Sequence, residues 1–493
     1  MTVSAPLFEA WWLPGFAPTA QTAWWELAGD GVTARAPRLD GPALDKLIGS
    51  LRAARDAYLR RLTVDDVVER IGVAINRWLD PFSPYLHRAC RLIPAFTGYP
   101  EEAVRKGLAA YLASFRAENL RRLLRDELGD PEVLDGFRPR RAGPGLTRAI
   151  GPGLVAHSFA GNVPGLPAQS LISATLTKAA SLGKLASDEP IFAPLFARSL
   201  ADVDVNLARC LAVTYWPGAD AEIGSTVFES ADAVVAYGSE AAIESIRARV
   251  PTSNRFIAYG HKLSFALIAR ERLQAGSLDD YAERFAYDVV RFDQQGCLSP
   301  HLIYVEDGGE ADSFRFGEAL ARALARWSQV VSRGRLSAAE RARAAEIRRQ
   351  HEFRAAATGG AVHGGAGDAW SVLVDVDPGF TASCLNRVVW VKPLADAADL
   401  PALLAPVRRY LQTAGVAAGP ERLETVAALL SDLGVDRVCP IGQMGDPPVT
   451  WHHDGRFNVL DFLRFADLEP ESAAGRWEFA HPDRGVLGVL RKR

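Results

Sequence analysis

From about residue 150 to 260, short β-type runs alternate with helical stretches, and this alternation limits the fold more than any other feature of the chain. The runs are Leu154-Val-Ala-His-Ser-Phe, Leu211-Ala-Val-Thr-Tyr-Trp, Ala233-Val-Val-Ala-Tyr and Phe256-Ile-Ala-Tyr. Strands joined through single helices return parallel to one another, and helices then cover both faces of the sheet. The spacing therefore predicts a doubly wound parallel α/β sheet. A second α/β region follows over 261–445. It holds a long Arg-rich helix, Asp312–Ala357, expected to break near Gly334 and to present its arginines to solvent. Thr358-Gly-Gly-Ala-Val-His-Gly-Gly-Ala-Gly367 lacks the Lys-Ser or Lys-Thr of a phosphate cradle and reads as a mobile loop. Upstream, 1–140 reads as a helical N-terminal region, with three- and four-residue apolar spacing over Ala43–Leu62 and Glu101–Leu128. Arg138–Gly145 reads as a connection. The expected division is 1–140, a cofactor-binding α/β domain over 141–260, a catalytic α/β domain over 261–445, and a C-terminal segment, 446–493, returning to the core or to an oligomer interface.

Composition excludes several classes of function. With 493 residues, 48% of them apolar, the chain can bury two or three domains' worth of core. A net charge of -3 gives no electrostatic footprint for nucleic acid. No run of about 18 apolar residues suggests a membrane span, and the start, Met1-Thr-Val-Ser-Ala-Pro, does not resemble a secretory signal. The five cysteines, Cys90, Cys210, Cys297, Cys384 and Cys439, are odd in number and lack a CxxC pair. That argues against a disulfide framework and a structural zinc site, and makes a reducing cytoplasm the simplest location.

Of these cysteines, Cys297 is placed for chemistry. It lies in Phe292-Asp-Gln-Gln-Gly-Cys297-Leu-Ser-Pro-His301, where Gly296 admits close backbone approach and Pro300 limits helix continuation. The other four sit in apolar or helical settings and read as packing. Ala160-Gly-Asn162-Val-Pro-Gly165 follows a strand and offers an amide donor to a developing oxyanion. Lys184 closes another strand and suits either solvent or a phosphate-bearing ligand. Ala233-Val-Val-Ala-Tyr-Gly238-Ser239 reads as strand, glycine turn and N-capped helix, which presents free N–H groups to a phosphate. Trp451-His-His-Asp454 supplies polar groups, but adjacent ligands make poor zinc geometry. A tunnel or interface segment is the better reading of it.

The order Asn162, Lys184, Gly238-Ser239, Gly260-His-Lys262, Cys297 resembles the site of the aldehyde dehydrogenase superfamily. The resemblance implies an aldehyde dehydrogenase-like fold of two doubly wound α/β domains. It assigns Cys297 as nucleophile, Asn162 with the Cys297 N–H as oxyanion hole, and Lys184, Ser187, Gly238, Ser239 and Gly260 to the cofactor. Two departures narrow the match. Hydrolytic members carry a glutamate base in Glu-Leu-Gly-Gly-Lys, whereas this chain has Ala258-Tyr-Gly-His-Lys262. Loss of a positioned base removes about 10²–10⁴ from water attack, which favours acyl exchange with a thiol. Ser187 stands about where NAD-preferring members place a glutamate, so the resemblance points to NADPH, with NADH possible and Asp188 and Glu189 adjacent.

With Asp293-Gln-Gln-Gly-Cys297-Leu-Ser-Pro-His301, the chain is similar over roughly 150–460 to the acyl-CoA reductase family typified by the fatty acid reductase subunit of bacterial bioluminescence. This implies acylation of Cys297 by an acyl-CoA or other acyl thioester and hydride transfer to release a fatty aldehyde. His301 would assist proton transfer. Homo-oligomers and an acyl-protein synthetase partner are further expectations of the family. The competing readings are a CoA-acylating aldehyde dehydrogenase working oxidatively and a catalytically silent acyl-transfer scaffold.

Overall fold

In the computed structural model, which describes residues 6–274, 276–365 and 367–470, the alternating segment closes into a five-stranded, all-parallel sheet. Its order is Arg255–Tyr259, Ala233–Tyr237, Leu154–Ser158, Ala180–Lys184, Leu211–Thr214. The chain starts at the middle strand, winds to one side, then crosses to the other. The carboxyl ends of Leu154–Ser158 and Ala233–Tyr237 therefore flank a switch point, the crevice where such sheets bind ligands. Leu154–Ser158 is buried throughout. Its one ionisable group, His157, meets Ser170 Oγ at 2.6 Å and Ser181 Oγ at 3.1 Å, and burial pushes its pKa down to about 3, so the ring stays neutral.

A second sheet has the order Ala361–His363, Ser371–Val374, Val388–Leu394, Pro300–Glu306, Leu263–Ile268, Leu411–Ala417, Arg437–Cys439. All neighbours are parallel except Ala361–His363, which runs antiparallel to Ser371–Val374. The loop expected over 358–367 thus contains a strand. Three residues between glycines are too few to show a period, and a neighbouring strand supplies their pairing. The central strand, Pro300–Glu306, follows Cys297 directly and is buried along its length. It ends on Glu306, whose carboxylate accepts two N–H bonds from Arg422, both at 2.8 Å, and the backbone N–H groups of Arg270 at 2.8 Å and Ala397 at 3.1 Å. Burial alone would raise this carboxyl, but the bonds from Arg422 and Arg270 outweigh it and hold the pKa at about 2.

The N-terminal region is not helical from its start. Leu7–Glu9, Thr33–Pro37 and Trp24–Ala28 first form a small sheet. The helices Gly41–Ala57, Val64–Leu79, Pro84–Thr97, Glu101–Ala113 and Ala117–Leu128 follow. The helix expected over Glu101–Leu128 is therefore two, and the one expected over Ala43–Leu62 ends at Ala57. Their apolar faces share a core with the first sheet's helices. There Trp78 packs 5.2 Å from Phe192 and donates its indole N–H to Ser199 Oγ at 2.8 Å. The Arg-rich stretch divides into Ser313–Val330 and Ala338–Thr358, and the second buries only His351 and Ala355. A second small sheet pairs Arg464–Leu468 with Leu146–Ile150 and the latter with Arg138–Pro139, so part of the expected connection over 138–145 is strand. Of the C-terminal segment expected over 446–493, residues 471–493 lie outside the described residues. Among the described residues no helix is long and apolar enough to cross a membrane.

Because the folded Glu306 carboxyl lies below its unfolded value, its contribution is present above about pH 4 and fades as the pH falls through the folded value. Glu306→Gln is expected to unfold at lower urea than wild type near neutral pH. The difference should shrink as the pH drops from about 5 toward 2. Equal midpoints at neutral pH would show that the ionised carboxylate adds nothing.

Candidate active site

The segment carrying Cys297 leaves the helix Leu278–Val290 and turns sharply before the strand Pro300–Glu306. Phe292, Asp293 and Gln294 have φ of 48°, 50° and 64°, three successive non-glycine residues in the left-handed region. Such positions cost ~1–3 kcal/mol each and persist only where the surroundings enforce them. A matching run, Leu385, Asn386 and Arg387, has φ of 66°, 58° and 66°. The two runs are fastened to each other. Asp293 Oδ1 meets Arg387 Nε at 2.5 Å, with both side chains buried. Asp293 Oδ2 accepts the Gly334 N–H at 2.7 Å, and the Asp293 carbonyl accepts the Asn386 N–H at 2.9 Å. Gln295 Nε2 donates to Asn386 Oδ1 at 2.9 Å, and Gln294 Nε2 to the Pro300 carbonyl at 2.8 Å. The remaining Arg387 N–H groups satisfy the carbonyls of Val331 at 2.8 Å and Ser332 at 3.1 Å, where the helix Ser313–Val330 has ended. The break near Gly334 therefore serves the cysteine loop.

A cavity of about 380 Å³ opens between the two large sheets, and Cys297, Asn162, His301, Gly238, Ser239 and Gly260 all line it. Ala258, where a hydrolytic relative would carry its base, lies in the strand Arg255–Tyr259. Cys297 is half-buried, and its carbonyl accepts Ser264 Oγ at 2.7 Å. Burial pushes the thiol up to about 12, with the negative charge of Asp454 adding to the effect and a hydrogen bond from Gln412 opposing it. At neutral pH the cavity holds a thiol, not the standing thiolate that nucleophilic chemistry by itself suggests.

The Asn162 amide donates one N–H to the Gln295 carbonyl at 2.8 Å and keeps the other for a ligand. Its own carbonyl accepts the Tyr99 hydroxyl at 2.9 Å, and that hydroxyl also lies 3.3 Å from the Phe292 carbonyl. Tyr99 thereby ties the Asn162 loop to the cysteine loop from within the N-terminal region, where the sequence shows no readable chemistry. The helix Glu101–Ala113 comes so close that a Cβ on Gly107 would stand 2.3 Å from the Phe292 ring. His301 Nδ1 accepts the Ser383 N–H at 3.1 Å, which leaves the ring proton on Nε2. Burial pushes its pKa down to about 4, so it serves as a fixed N–H donor and not as a titrating acid.

The remaining cofactor positions divide. Lys184 lines a second cavity of about 240 Å³ with Trp216 and Arg249. Its ammonium lies 5.8 Å from the Tyr215 ring and 6.0 Å from that of Trp216, without a carboxylate partner among the described residues. Burial lowers its pKa, and the Arg249 charge adds to that. Ser187 lines neither cavity; it is exposed and donates to Asp188 Oδ1 at 3.0 Å. Glu189 turns inward and accepts the N–H groups of Ile191 at 3.0 Å and Phe192 at 2.9 Å.

At the cavity's far wall, His453 and Asp454 lie on a tight turn. Asp454 and Gly455 both have positive φ, 53° and 69°, and the Arg456 N–H returns to the His453 carbonyl at 3.1 Å. This is the geometry for which Asp-Gly is a sequence signature. His453 stacks on Tyr259 at 4.2 Å and on Trp451 at 4.8 Å, and burial pushes its pKa down to about 3. Among the described residues, no group of three or more His, Cys, Asp or Glu side chains is arranged to hold a metal ion. Tyr99, Arg387, Gln412 and Arg249 carry no motif. Asp454-Gly455 forms a turn within what the sequence reads only as a tunnel or interface segment.

The family model described as Acyl-CoA reductase (LuxC) matches residues 59–465. The long-chain acyl-protein thioester reductase of Aliivibrio fischeri is 26% identical over 416 residues, covering 83% of each chain. Among solved structures, an NAD-dependent aldehyde dehydrogenase from Sinorhizobium meliloti aligns with a TM-score of 0.72 at 16% identity, covering 96% of both chains. Aldehyde dehydrogenase 21 from Physcomitrella patens aligns at 0.69 and 13% identity, covering 96% of this chain and 100% of that one. At such identities the likeness speaks for the fold alone, and the fold is that of an aldehyde dehydrogenase.

Removing one partner of the Asp293–Arg387 pair leaves a buried charge uncompensated. Arg387→Met is expected to lower unfolding stability by ~3–5 kcal/mol in urea titration. Asp293→Asn combined with it should recover part of that loss. A single variant as stable as wild type would remove the pair from its structural role.

Proposed function

The chain belongs to the acyl-CoA reductase (LuxC) family, and on that premise we propose that it reduces a long-chain acyl thioester to the aldehyde through an acyl-Cys297 intermediate, with NADPH as reductant. The observation that carries this reading is the company Cys297 keeps. Asn162, Gly238 and Ser239 share its cavity, while position 258 offers only a methyl group. Attack of the Cys297 sulfur on the thioester carbonyl forms a tetrahedral oxyanion, for which the second Asn162 N–H and the Cys297 N–H are donors. Collapse expels the carrier thiol and leaves the acyl group on Cys297. Without a glutamate at 258 the acyl-enzyme is spared the usual water attack and persists to be reduced.

A nicotinamide cofactor suits the residues at the sheet's switch point, and when bound it supplies the hydride. Ser239 caps the helix Glu240–Arg247, its Oγ accepting the Ala242 N–H at 3.3 Å, and the N–H groups of Glu240 and Ala241 in the first turn are suited to a pyrophosphate. Lys184 and Arg249 share one cavity without a carboxylate in its walls, and two unneutralised cations favour the extra phosphate of NADPH. Ser187 plays no direct part in this preference; what matters is that the cavity is free of acids. The curated relatives are named for acyl-protein thioesters, so the acyl carrier is either coenzyme A or a protein thiol, and the thioester chemistry is common to both. The oxidative, CoA-acylating direction would use the same groups in reverse.

The test is NADPH oxidation with a panel of acyl-CoAs and an S-acylated protein, wild type beside Cys297→Ala. Wild type should consume NADPH only with an acyl thioester and yield aldehyde, and Cys297→Ala should be inactive with every donor. Equal inertness of both proteins with NADPH and NADH would sink the reductase reading, and release of free acid would sink the role given to Ala258.

A further inference from the structure

The half-buried, protonated Cys297 thiol poses a problem that the groups discussed so far do not solve. It must lose a proton as it attacks and regain one when the aldehyde leaves. His301 is fixed as a donor by Ser383, and Ala258 has no proton to exchange. Among the described residues one carboxylate lines the cavity. Asp454, projected by the Asp-Gly turn, has a side chain only 7% exposed. It lines the cavity together with Cys297. Gln412 lines the same cavity, and its Nε2 donates to Asp454 Oδ1. Gln412 is itself fully buried, and its Oε1 has no partner. A buried glutamine with one end held by a carboxylate and the other unsatisfied beside a thiol is a costly arrangement for packing alone.

Building on the reductase reading, we propose that Asp454 is the proton acceptor and donor of the Cys297 cycle, with Gln412 as the positioning residue that holds its carboxylate toward the sulfur. In the first half-reaction the Sγ–C bond forms at the acyl carbon as the thiol proton passes to the Asp454 carboxylate, directly or through one water. The bond between the acyl carbon and the carrier sulfur then breaks, and the carrier thiolate takes that proton. In the second half-reaction the acyl carbon receives hydride from reduced nicotinamide. The carbonyl re-forms as the aldehyde, the C–Sγ bond breaks, and Cys297 recovers a solvent proton by way of Asp454. One thioester, one reduced cofactor and one proton give one aldehyde, one thiol and one oxidised cofactor.

The surroundings suit this role. Asp454 is faced by Lys262 and Arg456, which favour its charged form, and by Asp436, Cys297 and the buried Tyr237 and Tyr259, which oppose it. His453 beside it is neutral. Desolvation prevails and raises the Asp454 carboxyl, toward the range in which a general base works best near neutral pH. Tyr111 also faces Cys297 but is held protonated by burial.

Alkylation of Cys297 by iodoacetamide, followed by intact mass across pH, tests the proposal without acyl donor or nicotinamide. Its outcome is therefore separate from success or failure of the reductase assay. Asp454→Asn suits the purpose because asparagine tolerates the left-handed turn equally well. If Asp454 takes the proton, the Asn variant should alkylate at least about 10²-fold more slowly near neutral pH. The gap should close at alkaline pH, where hydroxide ionises the thiol directly. Asp454→Glu should restore part of the rate. A merely electrostatic Asp454 predicts the opposite, since deleting its negative charge makes the thiol easier to ionise. An Asn variant as fast as wild type or faster, or a Glu variant no faster than the Asn one, overturns the proposal.

Discussion

The ion pair between Asp293 and Arg387 is the constraint on which the site depends. It joins two left-handed runs that neither segment would adopt alone, and the pair's leftover valences tie down the helix end at Val331 and Ser332. Burying two charges is expensive, and a pair of well-packed apolar residues would often serve stability as well. An apolar pair could not, however, hold backbone at φ near 50° over three successive non-glycine residues. The charges are spent on shape, and the shape puts Cys297 at the mouth of the central strand, facing a crevice that belongs to the other sheet.

Burial governs the protonation of the groups in and behind that crevice. His157, His301 and His453 are all held neutral by burial, and the Cys297 thiol is held protonated by the same effect. The polar groups that remain are directional: Asn162 with one N–H spoken for and one free, His301 with its proton fixed on Nε2, Gln412 oriented by a carboxylate.

How much of this was legible in the sequence depended on the range of the interaction. The parallel sheet was legible because its strands are continuous apolar runs separated by helices, and Cys297, Asn162 and Gly238-Ser239 were legible because each sits on a local turn at a strand end. Ser187 shows the limit of inference by resemblance, since its side chain turns to Asp188 and away from both cavities. Tyr99, Arg387 and Gln412 left no trace, because each acts on residues far along the chain through hydrogen bonds or an ion pair. The small N-terminal sheet and the strand Ala361–His363 escaped for another reason: such short strands take their stability from neighbours and show no period of their own. Asp454 lay in between. Its turn could be read from Asp-Gly, but its partner, Gln412, belongs to a strand of the other sheet and could not.

Asp293 and Arg387 lie 94 residues apart, and the second immediately precedes the strand Val388–Leu394. During synthesis the cysteine loop therefore emerges long before the side chain that shapes it. Contacts of such separation form late, because the chain between must first be ordered. Until then Cys297 is an ordinary thiol on a flexible segment, exposed to whatever oxidants and electrophiles the nascent chain meets. It becomes a sheltered group only when the second sheet closes over it. The loop around Cys297 therefore takes its final shape only when the second sheet is complete.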